Sequence, residues 1–173
     1  MPDTREVSVA FVGLGANLGD ARGTLVRAVG ALARLPDSRL SGVSSLYKSA
    51  PVDAFGPDYL NAVARLETRV PPLELLRALL AIEAEHGRER PYANAPRTLD
   101  LDLLAYGQVA LSSPELTLPH PRAHGRAFVL LPWVELAPQW MLGELGSIEL
   151  LSRSIRDQAI VRLEPASAWV ARE

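Results

Sequence analysis

The sequence predicts an α+β fold, a sandwich in which a mainly antiparallel sheet has helices packed on its faces. Some segments of the chain have an apolar residue at every second position, which is typical of strands. They alternate with segments in which apolar residues recur at helical spacing. The order of these segments is strand, helix, strand, strand, helix, strand. That order is typical of a ferredoxin-like sandwich, an architecture that hosts many functions and decides none by itself.

Composition predicts a single domain spanning residues 1–173. Of the 173 residues, 48% are hydrophobic, which is enough for a substantial core. A net charge of −2 argues against a general nucleic-acid partner, and the absence of cysteine excludes disulfides and thiolate metal sites. No segment has the length of a membrane span. We therefore expect a cytoplasmic monomer that binds neither membranes nor nucleic acid.

The first strand is predicted at residues 7–14 and leads into the glycine-rich segment GLGANLGD. We interpret these glycines as a tight turn from strand to helix. A dinucleotide fingerprint would need glycine where Leu18 stands, and the segment lacks the G-K-[ST] of a Walker phosphate loop. A helix is predicted over residues 21–35, with Asp20 as its N-cap.

Two further strands are predicted at residues 43–48 and 59–68. Tyr59 and Asn61 share a face of the second strand because strand side chains alternate. An aromatic ring beside an amide suits a flat ligand with a hydrogen-bonding edge. An aromatic at the rim and an asparagine that stabilises a turn would fit the same pattern.

A second helix is predicted to begin at Pro71 and Pro72 and to end at Gly87. Its apolar face is predicted from leucines at helical spacing: Leu73, Leu76 and Leu79 or Leu80. Glu83 interrupts this face, and we expect its side chain to extend to solvent, although it could also reach a site. Residues 87–97 form an arginine-bearing loop, suited to a lid over polyphosphate or to a solvated surface.

The segment PRTLDLDLL, at residues 96–104, alternates leucines with Asp100 and Asp102. On a strand the two carboxylates share a face, about 6.5 to 7 Å apart along the chain. This pair is either a solvated acidic edge or a cation site. Mg²⁺ suits the second alternative, because it takes one or two carboxylates and leaves its other positions to water and phosphates. Arg97 adds a forked donor for phosphate.

The C-terminal part is predicted to hold two helices and a short strand. The first helix covers residues 128–136 with Pro132 in its first turn, and the second covers residues 148–155. A strand at residues 159–163 and a frayed end follow. The prolines on either side of His120 argue against a helical pair of zinc-binding histidines.

The chain also resembles a known family. The segments that carry the resemblance are, in order, GLGANLGD, APVDAFGPDYLNAV, IEAEHGRER, NAPRTLDLDLLAYG and LPHPRAHGRAFVLLP. They are similar to those of 6-hydroxymethyl-7,8-dihydropterin pyrophosphokinase, an enzyme of folate biosynthesis. The resemblance implies an ATP-dependent diphosphotransferase that moves pyrophosphate from ATP to the pterin hydroxymethyl group and releases AMP.

The resemblance further implies roles for individual residues. Asp100 and Asp102 match the ligands of two Mg²⁺ ions. These two aspartates, with Arg97 and Arg90, make up the catalytic set that the resemblance implies. Positions that bind the pterin match Asn17, Ala50, Pro51, Val52, Tyr59, Asn61 and Phe128. Positions that bind ATP match Glu83, Arg88, Arg90, Arg97, His120 and Arg126.

Two departures from the family pattern predict an altered rate or nucleotide affinity. Ala93 and Asn94 stand where many members have an Arg-Trp pair, and Ala16 stands where many have serine. Two alternative functions stay open. One is a pterin- or nucleotide-binding relative without turnover, and the other is a Mg²⁺-dependent nucleotidyltransferase or nuclease.

Overall fold

The computed structural model describes residues 5–51, 56–86, 98–155 and 157–170. Its strands are β1 (Ser8–Ala16), β2 (Ser38–Val43), β3 (Leu46–Ser49), β4 (Tyr59–Thr68), β5 (Asp100–Tyr106), β6 (Leu111–Ser112), β7 (Thr117–Leu118) and β8 (Ile160–Glu164). Its helices are α1 (Ala21–Ala33), α2 (Pro72–Glu85), α3 (Ala127–Leu136), α4 (Ile148–Arg153) and α5 (Ala166–Trp169). Four predicted site residues lie outside the described residues: Val52, Arg88, Arg90 and Arg97. Within the described ranges, no helix combines the length and apolar character needed to cross a membrane.

One antiparallel sheet organises the fold. Its strands follow the order β5-β1-β4-β3-β8, and β2 pairs with β4 beyond the end of β3. β6 and β7 form a separate two-stranded ribbon. The predicted α+β class with a ferredoxin-like antiparallel sheet is confirmed, and β8 extends that sheet at one edge.

Helices cover both faces of this sheet. α1 and α2 bury their apolar stripes on one face, together with alternate residues of β4 such as Ala62 and Ala64. α3 and α4 pack on the other face, where Val63 of β4 joins Phe11 and Trp133. The period-two alternation of β4 therefore divides its side chains between two cores.

The glycines after the first predicted strand lie in a different place from the one expected. Gly13 and Gly15 belong to β1, where each pairs with β4 on one side and with β5 on the other. The turn comes later, and Gly19 adopts the positive φ of 59° that a glycine allows. Asp20 then caps α1 as predicted, since its carboxylate accepts the Gly23 backbone N–H at 3.0 Å.

The strand predicted at residues 43–48 is confirmed over β3 but is wrong at its start, because the chain breaks between β2 and β3. The Ser44 backbone N–H donates to the Val63 carbonyl at 2.9 Å, and the Ser44 hydroxyl accepts the Val63 N–H at 2.9 Å. A side-chain oxygen thus takes the place of a backbone carbonyl in the ladder, and the strand is interrupted.

In α2 the predicted first turn at Pro72 is confirmed, and the predicted inner face is confirmed at Leu79 but is wrong in omitting Leu75 and Ile82. Leu75, Leu79 and Ile82 are buried, whereas Leu80 is 41% exposed. The segment LELLRALL offers two leucine stripes, and packing on the sheet selects one of them. Glu83 lies beside the buried stripe and is 2% exposed, so the expected extension to solvent is also wrong.

β5 runs from Asp100 to Tyr106, so Thr98 and Leu99 precede it, and residues 96 and 97 of the predicted strand lie outside the described residues. Its leucine alternation is confirmed, because Leu101 and Leu103 lie in the core beneath α1 and α2. Leu104 lies on the other face, as alternation after Leu103 requires, and a register shift opposite Phe11 and Val12 leaves Ala105 on that same face.

The C-terminal elements differ from prediction in their details. Pro132 lies in the middle of α3 rather than in its first turn, and α4 ends at Arg153. Burial against the sheet keeps α3 helical although Pro132 donates no backbone hydrogen bond. The expected fraying is wrong for α5, where Trp169 is 2% exposed and its indole N–H donates to the Ser44 carbonyl at 3.1 Å.

Candidate active site

The two aspartates stand on β5 next to the glycines of β1. Asp100 pairs with Gly15 and Asp102 with Gly13, so these four residues face the same side of the sheet. Both carboxylate residues are partly buried. Because glycine has no side chain, the strand beside the aspartates presents only backbone, and the space above it stays open to a ligand.

The same register brings in residues of β4. Gly15 also pairs with Asn61, and Gly13 pairs with Val63. Asn61 therefore lies on the same face as Asp100, with only a glycine between them. The ladder fixes this row, and its geometry does not depend on any loop.

A cavity of about 210 Å³, which we call the first cavity, lies over Gly13 and Gly15, and these two glycines form its floor. It is lined by Gly13, Leu14, Gly15, Ser49, Ala50, Tyr59, Asn61, Ala62, Asp100, Asp102, Arg126, Phe128 and Val129. Seven residues that the sequence singles out come together here: Ala50, Tyr59, Asn61, Asp100, Asp102, Arg126 and Phe128.

Hydrogen bonds orient the Asn61 amide within this cavity. Its Nδ2 donates to the Ser49 hydroxyl at 2.7 Å, and Asn61 is 4% exposed. The Oδ1 atom turns toward Gly15, where a β-carbon built on the glycine would meet it at 3.6 Å. The cavity therefore holds a fixed amide acceptor near its floor.

The first residues of α3 close one side of the cavity. The Arg126 guanidinium carbon lies 5.4 Å from the centre of the Phe128 ring. This stacking holds a cation and an aromatic face together at the start of the helix. The first cavity thus combines an acidic pair, a cation, an amide and an aromatic ring.

A second cavity of about 260 Å³ lies on the other side of Asp102. It is lined by Leu76, Leu101, Asp102, Leu103, Ser113, Pro114, Glu115, Leu116, Thr117, His120 and Pro121. Its wall combines leucines with hydroxyl and imidazole groups. Asp102 lines both cavities and stands where they meet.

His120 is held by its backbone and by one ring nitrogen. Its N–H donates to the Leu104 carbonyl at 2.9 Å, and its Nδ1 accepts the Arg122 backbone N–H at 3.2 Å. The neutral ring therefore carries its proton on Nε2. Burial lowers the pKa of His120; Asp102 opposes this effect, and the charges of Arg126 and Arg122 reinforce it.

The donor set at the aspartates suits a hard cation that keeps part of its shell for other ligands. Within the described ranges, no group of three or more His, Cys, Asp or Glu side chains comes together as a metal site. Two carboxylates alone are a poor site for zinc, which prefers several nitrogen or sulfur ligands. They match Mg²⁺, which commonly combines one or two carboxylates with water and phosphate oxygens.

Three other residues that were predicted to bind a substrate do not line the first cavity. The Asn17 amide donates to the Pro57 carbonyl at 3.2 Å, which ties the end of β1 to the segment before β4. Pro51 lines a neighbouring cavity of about 180 Å³, which shares Phe128 with the first cavity. Glu83 is buried within α2.

Sequence reasoning missed the part that Gly13, Gly15 and Ser49 play in the first cavity. A usable signal was present, because the glycines have the same spacing of two residues as Asp100 and Asp102. Two strands with matching period can pair with glycine opposite aspartate. Thr117 and Leu76, in the second cavity, carried no comparable signal.

Comparisons with known proteins show the family of the chain. Residues 11–138 match the family described as 7,8-dihydro-6-hydroxymethylpterin-pyrophosphokinase (HPPK). A relative named 2-amino-4-hydroxy-6-hydroxymethyldihydropteridine pyrophosphokinase from Pseudomonas aeruginosa is 43% identical over 90% of this chain and 97% of its own length. A protein of the same name from Haemophilus influenzae is 40% identical, over 90% of this chain and 98% of its own length.

The fold is also similar to that of a solved Plasmodium falciparum protein, HPPK-DHPS wild type with STZ-DHP. The TM-score is 0.69 at 14% sequence identity, over 88% of this chain. This chain spans 44% of the length of that solved chain, so the likeness concerns the fold of one part of it. From the match to residues 11–138 and the identity to the bacterial relatives, the chain belongs to the 7,8-dihydro-6-hydroxymethylpterin-pyrophosphokinase family.

Proposed function

We propose that this protein transfers pyrophosphate from ATP to the hydroxymethyl group of 6-hydroxymethyl-7,8-dihydropterin, the activity for which its family and bacterial relatives are named. The products are AMP and the pterin diphosphate, which serves folate biosynthesis. The observation that carries this proposal is the position of Asp102, which lines two cavities of different character. A transfer between two substrates needs such a junction.

The first cavity is the proposed pterin site. A pterin is flat and has a row of donors and acceptors along its edge. The Asn61 Oδ1 atom, fixed by the hydrogen bond from Nδ2 to Ser49, can accept from an amino or ring N–H group. Phe128 and Tyr59 provide aromatic surface beside it. Asn17, Ala50, Pro51 and Val52 complete the proposed pterin set.

The second cavity is the proposed nucleotide site. Its leucines offer apolar contact to a base, while Thr117 and His120 offer hydrogen bonds. The Nε2–H of neutral His120 is a donor suited to a phosphate or ribose oxygen. Glu83, Arg88, Arg90, Arg97 and Arg126 complete the proposed ATP set.

Asp100 and Asp102 are the residues that would hold Mg²⁺, and we propose two ions. When bound, these ions would supply charge neutralisation for the phosphates and acidify a nearby hydroxyl. The chain itself aligns the reactants. Asn61 and Phe128 would fix the pterin ring, and Arg126, beside both the aspartates and Phe128, would place a positive charge near the transferred group.

In this reaction the pterin hydroxyl oxygen forms a bond to the β-phosphorus of ATP. The bond from that phosphorus to the oxygen shared with the α-phosphate breaks, and AMP leaves with this oxygen. The hydroxyl proton passes to solvent. Because little covalent chemistry falls to the protein, alignment and charge account for the rate. We propose Arg90 and Arg97 as further sources of positive charge for this step.

The direct test is AMP formation by the purified protein, with the pterin present or omitted and with Mg²⁺ or EDTA. We expect AMP only when both the pterin and Mg²⁺ are present. A folded protein that binds the pterin and forms no AMP would support the alternative of a binding relative without turnover. Release of inorganic pyrophosphate with a nucleotide-linked product would support a nucleotidyltransferase.

The organisation of the chain as one domain over residues 1–173, the monomeric state and the cytoplasmic location stay predictions. The effect of Ala93 and Asn94 on the rate is likewise a prediction, because both lie outside the described residues.

A further inference from the structure

Gln158 lies just before β8, outside the residues 11–138 that match the family, yet its side chain reaches the start of α3. Its Nε2 donates to the Gly125 carbonyl at 2.8 Å. Its Oε1 accepts the Ala127 backbone N–H at 3.0 Å. These two peptide groups flank Arg126, so one side-chain amide holds the backbone on both sides of that residue.

The start of α3 needs such a partner. The first N–H groups of a helix have no carbonyl within the helix to bond, and a Ser, Thr, Asp or Asn at the N-cap commonly accepts one of them. In α3 the N-cap is Arg126, which has no acceptor, and in the described structure its side chain makes no capping hydrogen bond. Gln158 supplies the missing acceptor from a distant part of the chain.

The residues held in this way belong to the proposed active site. Arg126 and Phe128 both line the first cavity, and the guanidinium stacks on the ring. A rotation of the peptide before or after Arg126 would redirect both side chains. A displacement of about 1 Å at such a group can cost a large factor in rate.

We propose that Gln158 is a positioning residue that caps α3 and fixes the direction of Arg126 and Phe128 toward the substrates. This inference rests on the proposed function, because it assigns a kinetic consequence to the capping contact. It gives the C-terminal segment a part in the reaction, although the two hydrogen bonds of Gln158 join it to backbone groups on either side of Arg126 and not to a side chain of the site.

The test compares Gln158→Ala with Gln139→Ala. Gln139 is the matched control, because its amide also donates a hydrogen bond, in this case to the Glu149 carboxylate at 3.2 Å, at an exposed place away from the cavity. We expect Gln158→Ala to lower kcat/KM for the pterin by about five- to thirtyfold, the factor that corresponds to the loss of one or two hydrogen bonds. Gln139→Ala should keep the wild-type value.

A second pair of variants separates positioning from general destabilisation. If Gln158 acts through Arg126 and Phe128, the loss caused by Gln158→Ala should shrink when Arg126 is already alanine and largely disappear when both residues are alanine. Gln158→Glu should restore part of the activity, because a carboxylate still accepts the Ala127 N–H but cannot donate to Gly125. An equal loss in the presence and absence of the Arg126 and Phe128 side chains would overturn the proposal.

Amide hydrogen exchange at Ala127 in the full-length protein distinguishes failure of this inference from failure of the proposed function. We expect exchange in Gln158→Ala to be about five- to thirtyfold faster, because the N–H loses its acceptor. Unchanged exchange would overturn the capping contact, whether or not the enzyme is active. Wild-type protein that forms no AMP would instead contradict the proposed function and, with it, the kinetic role of Gln158.

Discussion

The two cavities that meet at Asp102 are built in different ways. The first rests on paired strands, and its floor of Gly13, Gly15 and Asn61 is set by ladder register. The second lies at the β5 edge of the sheet, between α2 and the segments around the β6–β7 ribbon. Backbone pairing therefore fixes the shape of the first, whereas turns and a short ribbon shape the second. This difference suits a rigid flat substrate on one side and a flexible polyphosphate on the other.

The largest expected effect comes from the residue that the cavities share. Asp102→Asn keeps the size of the side chain and removes its charge, so we expect AMP formation to fall by about 10²–10³-fold or more. Removing one of two repelling carboxylates should leave thermal stability unchanged or higher. Steady-state kinetics and thermal unfolding, with the exposed Asp157→Asn as control, check this. AMP release near the wild-type rate would contradict the assignment of Asp102.

The substitution Gly15→Ala, which adds a methyl group to the floor of the first cavity, should affect binding in that cavity alone. The structure leaves room for alanine at Gly15, whose β-carbon would meet Asn61 Oδ1 at 3.6 Å. The fold should therefore persist, while the methyl occupies space above the floor. We expect pterin affinity to fall by about tenfold, the cost of one misplaced carbon in a fitted pocket. Calorimetry with the pterin and with ATP in separate titrations measures this.

Gly30→Ala, within α1, is the matched control for that substitution, because it adds the same methyl on a helix away from the site. An equal loss of ATP and pterin affinity in Gly15→Ala would show that the two cavities do not act separately.

The second cavity should respond to the loss of its imidazole. His120→Ala removes a partly buried donor next to Asp102, and we expect KM for ATP to rise by about tenfold while pterin binding stays the same. His124 offers a control, because it is exposed in the short turn before α3. A change in pterin affinity and none in KM for ATP would reverse our assignment of the cavities.

The smallest expected effect lies outside both cavities. Arg22 donates to Glu164 at 2.9 and 3.1 Å, and this hydrogen-bonded pair lowers the pKa of Glu164. Since the folded-state pKa is the lower one, the stabilisation is present above the ordinary glutamate pKa and is lost as the pH falls through the lowered value. Thermal unfolding of Glu164→Gln should thus occur at a slightly lower temperature than that of wild type at pH 7, and the difference should vanish as the pH falls below the lowered pKa of Glu164. A difference that grows in acid would contradict this sign.

The sequence predicted the parts of the molecule that depend on periodicity. Alternation in β5 placed Asp100 and Asp102 on one face, and that arrangement is found. The alternation of β4 likewise put Asn61 and Tyr59 on a shared face of one strand. These features follow from local geometry, because strand side chains alternate whatever the tertiary context.

Features that depend on the choice between local alternatives were not predictable. Glu83 is buried because the sheet selects the neighbouring leucine stripe of α2. Gly13 and Gly15 were interpreted as a turn, since their partners on β4 and β5 are distant in sequence. Gln158 belongs to the same group, because its capping partner Ala127 lies 31 residues away. Long-range pairing decides each of these cases.

The central claim is that an intact pyrophosphoryl group crosses from one cavity to the other at Asp102. The most direct measurement uses ATP labelled with ³²P at the β-position in one reaction and at the α-position in a parallel one. We predict that the β-label appears in the pterin product and that the α-label stays in AMP. An α-label in the pterin product, or a β-label released as inorganic pyrophosphate, would contradict the claim.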